Sequence, residues 1–423
     1  MNKKIMIMSS SLDGRLLTAV ETANKLGVRT VACVRREDDI TASGADVCYA
    51  VNGDETDKLL EIAKKEKIDG ILGVWDKTVL SASIIAEELG LPGNSPDSVR
   101  CLLEKDQFRR LQSQTGVFYP NYFETALRDG LEEKCARLRF PVIVKPVLCS
   151  SSFGQTIIHD PCDIVSAFET ASAYSRNGIV CVEEYIEHED TLRVLEAEVF
   201  LVGDTILWDG LCWCCRFQEA PLRPVLVTYP VSLNTEQDRE FKSTVKKVLL
   251  ASGVSIGEFD IEGFFTKEGR FFIIEINPRP AGYYCQQDVQ LFCGVDFTKL
   301  LVTTALGDMS YYNELKGFQR QRRYLLSYAV FSFLPGIFDH VHIDPSIKKS
   351  LLIFRAFPGG EPGAYIEDIH ADNRPVGTAV FGFSSEEELK FAEENIRELV
   401  YVVLKPEADV QNGQIKTRVR SRS

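Results

Sequence analysis

The chain has 423 residues, 45% of them hydrophobic and 26% charged, with a net charge of −13. That length accommodates two to four domains with real cores, and the composition is that of a folded globular protein. The acidic balance argues against non-specific binding to nucleic acid or acidic membranes, and the longest apolar stretch, 324–338, is too interrupted to span a bilayer.

Residues 1–98 alternate strand signals (Ile5–Met8, Arg29–Val34, Gly70–Val74) with helix signals (Arg15–Leu26, Leu59–Lys65, Val79–Leu89). This alternation predicts βαβ units around a parallel, Rossmann-like sheet. Ser9-Ser10-Ser11-Leu12-Asp13-Gly14 follows the first strand in place of G-x-G-x-x-G, which disfavours a dinucleotide dehydrogenase. Ser9 to Ser11 and Trp75-Asp76 sit beyond strand carboxyl ends, where ligands of open α/β sheets bind; the same residues also suit helix caps. Trp75 and Asp76 are therefore candidate substrate contacts.

The turn-rich run Leu91-Pro92-Gly93-Asn94-Ser95-Pro96 predicts a domain boundary. A helix is expected over Pro96–Gln114, carrying Glu104-Lys105-Asp106. Phe140–Pro146 reads as a strand, and Lys145 among its aliphatic residues calls for an anionic partner. The loop Ser150-Ser151-Ser152-Phe153-Gly154 offers backbone N–H groups to an anion, although flexible connections share that composition. Ile179–Ile186 reads as a strand ending in acids, suited to an adenine edge or simply to solvent. Further helices are expected over Gln237–Ser252 and Phe292–Leu306. Trp213 is a candidate for a substrate pocket, an aromatic at strand spacing being equally suited to a core. The cluster Cys212-Trp213-Cys214-Cys215 has no matching second pair for zinc.

The most informative stretch is Phe259-Asp260-Ile261-Glu262-Gly263-Phe264-Phe265 followed by Phe271-Phe272-Ile273-Ile274-Glu275-Ile276-Asn277-Pro278-Arg279. Two apolar strands joined by Thr266–Arg270 predict a hairpin that sets Glu262 beside Glu275. Side-chain alternation points Glu275 and Asn277 the same way. Acids seldom sit in such strands without a partner or a metal, and hard oxygen donors beside a guanidinium suit Mg2+ on a polyphosphate. From about Arg323 the pattern changes to a small α+β module: strands at Tyr324–Phe333, Ile347–Phe357, Gly363–Ile369 and Val376–Phe383, then a helix at Ser385–Leu399. The basic tail is expected to be disordered.

In this order and spacing the segments resemble the ATP-grasp superfamily of carboxylate–amine ligases, and are most similar to the L-amino-acid ligases that make dipeptides. The matching pieces are Glu104-Lys105-Asp106, Val142–Pro146, the Ser150–Gly154 loop, Glu183-Glu184-Tyr185-Ile186, Glu262 and Glu275–Arg279. The resemblance implies α/β and α+β domains in sequence: a Rossmann-like domain over 1–98, ATP-grasp lobes over 99–187 and 188–322, a C-terminal α+β module over 323–405 and a tail over 406–423. It implies ATP with Mg2+ or Mn2+ as cofactors. Lys105 and Lys145 would hold phosphates; Ser150, Ser151, Ser152, Phe153 and Gly154 would close over the γ-phosphate. Glu183, Glu184, Tyr185 and Ile186 would read adenine, and Asp190 or Glu189 the ribose. Glu262, Glu275 and Asn277 would carry the metal, and Arg279 would be catalytic.

The implied activity converts a carboxylic acid into an acyl phosphate that an amine then attacks. The implied partners are a small acid and an amine, with no nucleic acid or membrane, and a homodimer is within the pattern. With no secretory leader before the first strand, twelve cysteines scattered through apolar segments suit a reducing cytoplasm. Two alternatives stand beside this reading: a carboxylase-like enzyme phosphorylating bicarbonate, and a non-catalytic nucleotide-binding protein. Glu275→Gln and Arg279→Ala are each expected to abolish turnover and leave the fold intact.

Overall fold

The computed structural model describes residues 3–9, 15–36, 42–147, 154–175, 177–187, 190, 192–221, 223–282, 285–357, 359–371 and 374–406. Ser10 and Ser11, the phosphate-loop residues Ser150, Ser151, Ser152 and Phe153, Glu189 and the basic tail from residue 407 lie outside them. The chain divides into two compact units, Met1–Trp213 with Pro230–Arg322, and Cys214–Tyr229 with Arg323–Ser423. The second unit is thus more than a C-terminal appendage: it includes a short segment from within the expected 188–322 lobe.

The first unit opens with β1 (Lys4–Met8), α1 (Arg15–Lys25), β2 (Arg29–Val34), β3 (Val47–Ala50), α2 (Thr56–Glu66), β4 (Gly70–Gly73) and α3 (Asp76–Leu89). The strands pair in parallel in the order β3-β2-β1-β4. Burial alternates half-buried and exposed along β3, the edge strand of this sheet, although its four residues Val47-Cys48-Tyr49-Ala50 are all apolar. The single helix expected over Pro96–Gln114 is two, α4 (Pro96–Leu103) and α5 (Lys105–Thr115). Glu104 breaks them, with extended backbone at φ −88° and ψ 116°. Lys105 therefore begins a helix rather than sitting within one.

Next come β5 (Tyr122–Thr125), α6 (Leu131–Cys135), β6 (Val142–Pro146), β7 (Thr156–Ile158), α7 (Ile164–Tyr174) and β8 (Val180–Glu184), with sheet order β5-β8-β6-β7. Ile164, Ala167, Phe168 and Ala171 of α7 share a core with Val142, Val144, Val180 and Val182. There follow β9 (Arg193–Val202), β10 (Thr205–Cys215), β11 (Leu226–Tyr229, in the second unit), α8 (Thr235–Ala251), β12 (Ile256–Phe265), β13 (Phe271–Asn277), α9 (Cys285–Cys293), α10 (Phe297–Ala305) and α11 (Ser310–Leu315). The helix expected over Phe292–Leu306 is interrupted because Gly294 takes φ +83° and Asp296 caps α10 through the Lys299 N–H.

Strands β13, β12, β9 and β10 lie side by side in that order, and one face of this array is dry. Leu195, Ala197, Val199 and Leu201 of β9, Phe259 and Ile261 of β12, and Phe271, Ile273 and Ile276 of β13 pack there on Phe241, Val245 and Val248 of α8. The opposite face carries the chemistry.

The second unit adds β14 (Tyr324–Val330), β15 (Gly336–Ile343), α12 (Pro345–Lys348), β16 (Leu351–Ala356), β17 (Tyr365–Ile366), β18 (Gly377–Phe383), α13 (Glu386–Leu399) and β19 (Val400–Leu404). Its strands order as β11-β14-β18-β16 and β17-β15-β19. The strand expected from Ile347 starts only at Leu351, because Asp344 caps a helical turn at Pro345–Lys348. Parallel and antiparallel sheets together match the expected α/β and α+β class. No described helix is long and apolar enough to cross a membrane.

Candidate active site

The hairpin forms as its sequence requires. Glu262 lies opposite Glu275 and Asp260 opposite Asn277, while Glu196 and Glu198 of β9 extend the same two rows on the other side of β12. A register shift at Glu262/Gly263 leaves Ile274 as the extra residue on β13. This bulge decides which way the site faces. Strict alternation from Phe271 and Ile273, both core residues, would bury Glu275 in the apolar layer. The extra residue reverses the phase, so Ile276 returns to the core and Glu275 and Asn277 turn to the polar face.

On that face Asn277 Nδ2 donates to Glu275 Oε1 at 3.0 Å and to Asp260 Oδ2 at 3.3 Å. Arg279 is gripped from two sides, Nε donating to Asp76 Oδ1 at 2.6 Å and Nη1 to Asp260 Oδ2 at 2.5 Å. Burial works against the Arg279 cation, but Asp76 and Asp260 outweigh it and hold it firmly charged. Burial likewise pushes the Asp76 carboxyl up, and Arg279 pulls it below its ordinary value. Asp260 goes the other way: burial, with Glu275 beside it, leaves its carboxyl raised despite Arg279. Asp76, a candidate substrate contact in the sequence, is thus an arginine partner, and Trp75 lies under the Arg15 guanidinium at 4.9 Å. Arg15 Nη1 in turn donates to the Pro280 carbonyl at 2.8 Å, tying the start of α1 to the turn after Arg279. Trp213 packs on the dry core with Arg193 5.3 Å from its ring centroid, the bland alternative for that residue.

Lys145 finds its anion within the protein: Nζ meets Glu183 Oε2 at 2.8 Å. Arg109 of α5, a residue the sequence reading passed over, forks onto the same carboxylate, Nε to Oε1 at 3.0 Å and Nη2 to Oε2 at 3.3 Å. Burial pushes the Glu183 carboxyl up, yet the two cations prevail and hold it far below the usual carboxylate range. Its neighbour Glu184 faces the other way, accepting from Asn121 Nδ2 and the Arg139 N–H, each at 3.0 Å. A pocket of about 310 Å³ opens there, lined by Phe118, Tyr119, Asn121, Arg139, Glu184 and Ile186. The Tyr185 N–H is held by the Pro141 carbonyl at 2.9 Å. Gly154 takes φ +71° against the Tyr174 side chain, where an added Cβ would come within 2.8 Å of the Tyr174 Cβ and 2.9 Å of its ring. Asp190 is exposed, its carboxylate accepting from the Leu192 N–H at 3.1 Å.

Among the described residues, no three histidine, cysteine or acidic side chains are grouped to hold a metal ion. Mg2+ needs only one or two carboxylates when phosphate and water oxygens complete its octahedron. Glu262 and Glu275, opposed across one strand pair and followed by the Asn277 amide, form a donor set of that kind. Behind them Glu198 and Glu258 are both buried, and burial above all raises both carboxyls, aided at Glu198 by the charge of Glu258 and at Glu258 by that of Asp260, with Glu258 pushed up to about 7. Glu258 Oε2 accepts from Gln286 Nε2 at 2.5 Å, and Glu198 Oε1 accepts from the Ala281 N–H just past Arg279. Glu198 Oε2 and Glu258 Oε1 have no donor, which a proton held between the two carboxyls supplies.

A carboxyl at about 7 in the fold and near 4.5 unfolded contributes stability below pH 4.5 that is lost progressively up to pH 7. The loss amounts to roughly 3 kcal/mol. Glu258→Gln should flatten the decline in unfolding free energy between pH 5 and pH 8, measured by urea titration in EDTA. A variant with the wild-type slope would remove Glu258 as its source.

Fold and site together define an enzyme that activates substrates with a nucleoside triphosphate. The chain belongs to the ATP-grasp superfamily of ligases. The model of the D-ala D-ala ligase C-terminus matches residues 113–302 and that of the ATP-grasp N-terminal domain residues 20–93. The formate-dependent phosphoribosylglycinamide formyltransferase of Bacillus subtilis is 26% identical over 287 residues, 66% of this chain and 71% of that one. An L-amino acid ligase from Bacillus licheniformis superposes with a TM-score of 0.80 at 18% identity, over 96% of this chain and 99% of that one. Phosphoribosylglycinamide synthetase from Anaerococcus prevotii superposes with a TM-score of 0.75 at 17% identity, over 96% and 100%.

Proposed function

We propose that the protein couples a small carboxylic acid to an amine, an amino acid among the amines it takes, at the expense of ATP. The observation that carries this reading is the acidic pair Glu262 and Glu275, set opposite each other with Asn277 and Arg279 following on the same polar edge. A carboxylate is a poor acyl donor because oxide is its leaving group. Transfer of the γ-phosphoryl replaces that leaving group with phosphate, and an amine then displaces it. Such a transfer asks the protein for positioning and charge neutralisation. Mg2+ bound at Glu262, Glu275 and Asn277 supplies neutralisation of the terminal phosphates. Arg279, kept charged by Asp76 and Asp260, stabilises the transferring group. Lys145 and Lys105 are the phosphate-facing lysines, and the strand end from Glu183 to Ile186 receives adenine. The thiol state of the described cysteines fits a reducing compartment such as the cytoplasm.

The test is phosphate release from ATP against a panel of acids and amines, with hydroxylamine added to trap an acyl phosphate. Release that needs both acid and amine, with a hydroxamate formed from the acid alone, is the expected result. Release with bicarbonate alone would replace the acid by bicarbonate, and silence across the panel would leave a nucleotide-binding protein.

A further inference from the structure

Arg109 does more than neutralise Glu183. It is only 2% exposed, and besides its fork on that carboxylate it donates from Nη1 to Gln112 Oε1 at 2.6 Å. Its remaining donors cross to β13, Nη1 to the Ile273 carbonyl at 3.3 Å and Nη2 to the Ile274 carbonyl at 3.1 Å. Gln112 Nε2 reinforces the first of these at 3.2 Å. The rings of Phe108 and Phe272 lie 5.4 and 5.3 Å from the guanidinium carbon. Ile274 is the bulged residue that turns Glu275 to the polar face, and β13 is the edge of its sheet, so these carbonyls need a donor from outside the ladder.

We infer that Arg109 is a positioning residue that joins nucleotide recognition to the metal-bearing strand, holding Glu183 in place when Lys145 turns to phosphate and pinning the bulge that aims Glu275. The charge count supports the first half. Glu183 carries two cations, Arg109 and Lys145, so the carboxylate stays paired after Lys145 leaves it. An ammonium that was the only partner would leave a buried bare carboxylate behind, an expensive state. The planar fork supports the second half. One guanidinium reaches a carboxylate and two successive carbonyls at once, which an ammonium cannot do.

The inference rests on the ATP-dependent reading, and the test separates the two. Binding of MgADP and its Mg2+ midpoint are measured by calorimetry for the wild type, Arg109→Lys and Gln112→Leu, with melting temperature recorded for each. Arg320→Lys serves as the control, since Arg320 also forks onto one carboxylate, Asp209 at 3.0 and 3.1 Å, outside the nucleotide machinery. Arg109→Lys should weaken MgADP about tenfold to a hundredfold, the size of a lost charge-assisted bond. Arg320→Lys should lower the melting temperature and leave affinity within about twofold. Gln112→Leu should raise the Mg2+ midpoint. Arg109→Lys binding like the wild type, whatever its melting temperature, overturns the inference. If that variant fails to fold, an unchanged Mg2+ midpoint in Gln112→Leu overturns it instead. A wild type that binds MgADP but turns over no acid–amine pair sinks the ligase reading and leaves the Arg109 comparison standing.

Discussion

Glu275→Gln should lose turnover by about a hundredfold to a thousandfold or more, while the folded protein becomes no less stable. The substitution keeps size and shape. It also keeps an oxygen able to accept the bond that Asn277 Nδ2 donates at 3.0 Å, so the local network survives. What disappears is one negative charge on the polar face of β13. That charge raises the Asp260 carboxyl beside it, so its removal eases a buried repulsion and lets Asp260 pair more fully with Arg279. Stability is therefore expected to hold or rise by a few tenths to about 1 kcal/mol. Catalysis moves the opposite way, because a neutral amide oxygen is a much weaker partner for Mg2+ than a carboxylate. Initial rates over a range of Mg2+, with thermal unfolding of the same samples, separate the effects. Wild-type turnover at saturating ATP would remove Glu275 from the metal site.

Much of this was legible in the chain, and the part that was not has a common cause. Alternating strand and helix signals over residues 1–98 foretold the parallel sheet, and the two apolar strands around Thr266–Arg270 foretold the pairing of Glu262 with Glu275. Those signals are periodic and local. Glu196 and Glu198 complete the acidic face, but they meet Glu262 and Asp260 only through the pairing of β9 with β12, which joins residues about sixty positions apart. The run Leu195-Glu196-Ala197-Glu198-Val199 does alternate acid and apolar residues, which marks a strand with one polar face but does not say which strand it pairs with. Arg109 was invisible for a different reason. An arginine next to another arginine on an amphipathic helix reads as a solvated face, and nothing short of the tertiary structure brings Glu183 and Ile274 to it. Asp76 follows the same rule, its position at a strand end being readable and its partner 203 residues away not.

Arg279→Ala should lose turnover by about a thousandfold or more and, contrary to the expectation from sequence, lose stability with it. The side chain is 11% exposed and serves two carboxylates that are themselves 15% and 5% exposed. Truncation leaves both without their cation, at a cost of about 3–5 kcal/mol. The pH dependence identifies the cause. In the wild type Arg279 keeps the Asp76 carboxyl below its ordinary value; without it, burial is opposed only by the weaker pull of Arg15 and Lys105 and pushes that carboxyl up, the direction in which burial and Glu275 already move Asp260. A raised carboxyl contributes stability at low pH that is lost as pH rises, so the deficit of Arg279→Ala should shrink on acidification from pH 7 towards pH 5. Arg279→Lys separates the two roles. An ammonium restores charge beside Asp76 and Asp260, recovering most of the stability, but it cannot reproduce the fork that holds the group in register for phosphoryl transfer. Turnover in Arg279→Lys should therefore stay far below wild type while its melting temperature approaches it. Recovery of both together would mean that Arg279 acts only by holding Asp76 and Asp260, and its place in the chemistry would pass to another residue.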